Sequence, residues 1–129
     1  MSTPTKLIEL LTGKVFKVRG EAVVLDFDAA SLYEAGIDQL HKSVTRHHQR
    51  FPDDFMFRLT PSEWDEICIQ IFGERRTIRS KPPLAFTNAG LFMLSSVLKG
   101  PRAAQISVLI IESLFSYKKI IDKDEPTTL

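Results

Sequence analysis

Four cations, Arg75, Arg76, Arg79 and Lys81, stand between Glu74 and Leu84 with no acid after Glu74. That spacing suits one kind of chemistry, the gripping of a polyanion. A guanidinium offers a planar fork of donors to phosphate oxygens and stays charged at every relevant pH. A second basic group, Lys42, Arg46 and Arg50 with His41, His47 and His48, comes earlier in the chain. The formal net charge is only +1, so attraction to phosphate has to come from segregated charge and not from its total. If three to five of these cations reach phosphates, binding should weaken with salt at a logarithmic slope of roughly −3 to −4.5. The alternative for the arm is a solvated, charged surface loop.

Other chemistries find less support. His47 and His48 are sequence neighbours, which on a helix point about 100° apart and cannot share a metal ion on one face. The sequence presents no nucleophile with a base and an orienting group and no Gly-rich phosphate loop, and Cys68 sits in the apolar run Ile67-Cys68-Ile69, a poor setting for a reactive thiolate. Asp53 and Asp54 follow Pro52 as turn residues, and Glu63, Asp65 and Glu66 fall in a first helical turn, where the macrodipole favours acids. We therefore expect a non-enzymatic protein with no cofactor and no metal.

The elements that would carry the basic groups read as follows. Val15–Val18 and Ala22–Leu25 flank Arg19-Gly20-Glu21 as a β-hairpin. A helix starts near Asp28, Gly36 interrupts it, and Asp38 is the expected N-cap of a second helix over about 38–50, ended by Pro52. The pattern helix, Gly turn, helix is helix-turn-helix grammar, although an ordinary amphipathic surface helix has the same spacing. On the DNA reading, Lys42, Arg46, Arg50, Arg75, Arg76, Arg79 and Lys81 contact the backbone, and Gln39, His41 and Ser43 face base edges. A strand at Phe55–Leu59 follows. Thr60-Pro61-Ser62-Glu63 then opens a third helix to about Phe72, with Thr60 as N-cap, Pro61 at the first position and Glu63 completing a capping box. The stretch from Gly73 to Pro83 reads as a loop or the wing of a hairpin whose return strand is Leu84–Phe86. Thr87 caps a fourth helix to about Leu98, and Pro101 starts a fifth that runs to about Ile121.

The fifth helix is apolar on more than one face. It needs either a central place in the fold or a second copy to cover it, and Ile106, Leu109, Ile110, Leu114 and Phe115 are the candidate contacts of a homodimer. With 129 residues, 43% hydrophobic and 26% charged, the chain has the make-up of a single globular domain, and its succession of elements reads as α+β class with a helical majority. Within it, residues 1–12 form an N-terminal extension, 13–121 the domain and 122–129 a frayed polar tail. One cysteine, no apolar stretch near the roughly 18 to 20 residues that span a bilayer, and no secretory leader pattern point to a reducing cytoplasm.

Several stretches together resemble a known family. They are Arg19-Gly20-Glu21, Val24-Leu25-Asp26, Leu32-Tyr33, the run Arg50-Phe51-Pro52-Asp53-Asp54-Phe55-Met56-Phe57-Arg58-Leu59-Thr60, and Ala85-Phe86-Thr87 with Gly90 and Met93–Leu98. Over about Val18 to Tyr117 the chain resembles the KilA-N-type domains of phages and prophages, in the branch named for the N-terminal region of a phage open reading frame six. The resemblance implies double-stranded DNA as partner and a regulatory role in the bacterial host cell. A module of antirepressor type, holding a repressor through the fifth helix without DNA, is the alternative. Members of that family usually carry Gly directly after the Leu-Tyr pair; this chain has Glu34.

Overall fold

The computed structural model describes residues 10–73 and 81–124, with side chains described as far as residue 113. Strands β1 (Val15–Val18) and β2 (Glu21–Leu25) form the expected hairpin. Its two-residue turn places Arg19 at φ 54° and Gly20 at φ 80°, the double left-handed geometry that matches the twist of paired strands. Helices α1 (Asp26–Leu32) and α2 (Ile37–Arg46) follow, then a 3-10 turn at His48–Arg50 and strand β3 (Met56–Arg58). Helix α3 (Pro61–Phe72) precedes β4 (Leu84–Phe86), and α4 (Asn88–Leu98) and α5 (Pro101–Asp124) complete the α+β fold.

The sheet is antiparallel throughout, in the order β1-β2-β4-β3. Β4 therefore lies between β2 and β3, with Phe86 opposite both Val24 and Met56 and Ala85 opposite both Leu25 and Phe57. This corrects the hairpin-wing reading of β4, because α3 intervenes between the two paired strands. Alternation along the strands builds two cores. Val24, Leu84 and Phe86 face the larger one, with Leu32, Tyr33, Leu40, Val44, Leu91, Leu94, Ile106 and Ile110. Val23, Leu25 and Ala85 face the smaller one, closed by Ile67 and Trp64 of α3. The central strands read as unbroken apolar runs because both of their faces are covered.

Helix ends explain most boundaries. Thr60 Oγ1 accepts from Glu63 N–H at 3.1 Å while Thr60 N–H donates to Glu63 Oε1 at 2.9 Å, so the capping box is complete. Thr87 caps α4, accepting from Gly90 N–H. The start of α1 is earlier than Asp28, and the residue before α2 is Gly36, with Asp38 inside the first turn and not at the N-cap. Helix α2 is also shorter than the expected 38–50. His47 leaves helical geometry at φ −116°, ψ 39°, and its ring Nδ1–H donates to Ser43 O at 3.0 Å.

Candidate nucleic-acid interface

Of α2, Leu40 and Val44 are buried in the larger core, while Asp38, Gln39, Lys42, Thr45 and Arg46 are exposed. At about 100° per residue these five fall within about a third of the helix circumference, a polar stripe with Lys42 and Arg46 as its cations. Ser43 is a correction to the sequence reading. It is only 8% exposed, turned toward the core, and cannot meet a base edge. Arg50 lies past the end of α2, and its Nη1 donates to Ser96 Oγ of α4 at 3.1 Å. It joins the 3-10 turn to α4 and is not on the α2 stripe.

His41 is engaged inside the molecule. Its Nε2 lies 2.8 Å from Asp26 Oδ2, and the same oxygen accepts from Leu84 N–H at 3.1 Å. A carboxylate accepts only, so the ring hydrogen is on Nε2. Asp26 is 4% exposed, at the start of α1, and joins α2 to the first residue of β4. Sequence reading missed it. The signal was present as an acid set between the buried run Val23–Leu25 and Phe27, a position that demands partners.

The basic arm is described only at its return end. Lys81 is exposed, and the next residues are fixed: Arg58 Nη1 donates to Pro82 O at 2.6 Å and Leu59 N–H to Pro83 O at 3.1 Å. Arg75, Arg76 and Arg79 lie outside the described residues. The hairpin tip holds a further cation, but Arg19 is committed. Its Nε and Nη2 donate to Glu63 Oε2 and Oε1 at 2.8 and 3.1 Å, and its guanidinium lies 4.1 Å from the Phe57 ring centroid. The Arg19 hydrogen bonds hold the Glu63 carboxyl down at about 2, against an opposing effect of desolvation.

A depression of about 380 Å³ at the N-terminus of α4 is lined by Glu21, Ala22, Asp54, Thr87, Asn88 and Ala89. Its two carboxylates make it a poor phosphate site. On α5, Ile106 and Ile110 are 0% and 3% exposed. Both belong to the chain's own core, which removes them from the expected dimer contacts, and Leu109 packs against the same core. Among the described residues, the exposed large apolar side chains of this helix are those of Val108 and Ile111 instead. The side chains of Leu114 and Phe115 lie outside the described residues. Among the described residues no helix is long and apolar enough to cross a membrane.

Residues 13–97, from the hairpin through nearly all of α4, match the ORF6N domain. The chain belongs to the ORF6N domain family, a phage-type family. No curated protein and no solved structure matches it. Helix α5 lies beyond the ORF6N match, whereas the α2 stripe, Asp26, His41 and the whole basic arm lie within it.

Proposed function

We propose that this ORF6N domain binds double-stranded DNA as a regulatory protein of phage or prophage type in the bacterial cytoplasm, akin to KilA-N domains. One observation carries the reading. Two consecutive helices, α1 and α2, are joined by a four-residue turn, and the second seats Leu40 and Val44 in the core while presenting Gln39, Lys42, Thr45 and Arg46 outward. A recognition helix needs this division, with its apolar side held rigid and its polar side free to enter a major groove. Lys42, Arg46 and Lys81 contact phosphates, joined by Arg75, Arg76 and Arg79, and Gln39 meets a base edge. Two copies pair through the outer side of α5.

The test is retention on random and genomic duplexes across a salt series. Lys42→Glu with Arg46→Glu is expected to weaken binding at least tenfold in low salt, with the circular dichroism melt nearly unchanged. Reversing Arg75, Arg76 and Arg79 to Glu is expected to abolish retention. If both triple and double reversals bind as the wild type does, the DNA reading is wrong.

A second reading has its own support. Val108 and Ile111 are 53% and 40% exposed on a helix outside the ORF6N match, a surface suited to holding a repressor or another regulatory protein. Salt separates the two readings. Phosphate binding falls steeply as salt rises, whereas an apolar contact holds or tightens.

A further inference from the structure

We propose that His41 is a positioning residue: through Asp26 Oδ2 it fastens the outward stripe of α2 to the start of β4, so that α2 and Lys81 meet one duplex as a single rigid surface. This rests on the DNA reading above. Three facts support it. One buried carboxylate oxygen accepts from both His41 Nε2–H and Leu84 N–H. Lys81 stands three residues before Leu84, and Pro82 and Pro83 between them are held by Arg58 and Leu59. His41 itself lies in the same helix as Lys42 and Arg46, next in sequence to the first of them. A contact fixed in advance adds to affinity because no freedom is lost on binding, and a loosened one adds less.

The role differs from base reading, in which loss of His41 would change sequence preference and leave the Lys81 contact intact. It also differs from simple support of the fold, in which loss of His41 would scale binding by all variants alike. His41→Leu cuts the α2 link and leaves the bond between Asp26 and Leu84. The ring is 40% exposed, so the variant is expected to fold, and the circular dichroism melt checks this. His41→Gln returns an amide N–H of comparable reach.

The experiment is fluorescence anisotropy on a random-sequence duplex at 0.1 M salt, of the order used for such complexes, with Lys81→Ala made in each background. In the wild type, Lys81→Ala is expected to weaken binding roughly eightfold, as loss of one phosphate contact does. In His41→Leu the same change is expected to cost less than half as much, and in His41→Gln the full effect returns. Equal losses in all three backgrounds, or no loss in any, overturn the coupling while duplex binding by the wild type still stands. Failure of the wild type to bind the duplex at all overturns the DNA reading with it.

Discussion

Glu34 holds φ 55°, a left-handed conformation that a side chain makes unfavourable by about 1 to 2 kcal/mol. Its place explains why. Ala35 N–H bonds to Ala30 O at 2.9 Å and Glu34 N–H to Ser31 O at 3.0 Å, the paired bonds of a helix ending whose turning residue is ordinarily Gly. Glycine would carry no such strain here, and the 3.7 Å contact of Glu34 with Arg102 is an exposed ion pair of small worth. Glu34→Gly is expected to raise stability by about 0.5–1 kcal/mol, read as a higher denaturant midpoint at unchanged slope. Gly90 is the opposite case. A Cβ there would meet the carbonyl oxygen of Phe55, which already accepts from Thr87 N–H, so Gly90→Ala is expected to cost about 1–3 kcal/mol. Glu63 gives a pH signature. Its carboxyl is held at about 2 against an ordinary 4.5, so its stabilisation is full above about 4.5 and lost as the pH falls through about 2. The pair with Arg19 is solvent-exposed, which limits the effect to about 1 kcal/mol or less. Wild type is accordingly expected to exceed Glu63→Gln at pH 7, with the gap closing between about pH 4.5 and 2 in urea titrations.

At the scale of elements, local rules were legible where the chain supplies its own partners. The capping box at Thr60 and Glu63, the Thr87 cap and the Arg19-Gly20 turn each involve residues within a few positions of one another, and the structure contains all three. Boundaries set by distant groups were not legible. Asp26 begins α1 because its carboxylate is spent on His41 and Leu84, and Ser43 faces inward although its neighbours Lys42 and Arg46 are polar. Spacing alone could not divide α5 into an inner side at Ile106 and Ile110 and an outer side at Val108 and Ile111, since every one of these residues is apolar. On the proposed function, the outer side is where two copies would pair. Val108→Glu with Ile111→Glu is expected to give a monomer by size exclusion with light scattering while the melt is retained, because neither residue belongs to the core. A wild type that already runs as a monomer would retire the pairing.

For the whole molecule, the local patterns along the chain indicated the α+β class and the positions of the strands, but not that β4 lies between β2 and β3. A run of three buried residues, Leu84-Ala85-Phe86, states that it is covered on both faces and does not state by whom. The candidate surface was legible to the same degree: its cations were visible as residue types, and the carboxylate that bonds both His41 and Leu84 was not. The central position of β4 has a kinetic consequence. The ribosome releases β2 long before Phe86, and until that residue emerges β2 lacks one neighbour, Asp26 lacks a backbone donor and neither core can close. Most of the sheet therefore forms late, through contacts of high sequence separation that are slow to find. A nascent chain stalled before Leu84 should remain open to protease, and full resistance should appear only once the later core residues Leu91, Leu94, Ile106 and Ile110 have emerged as well.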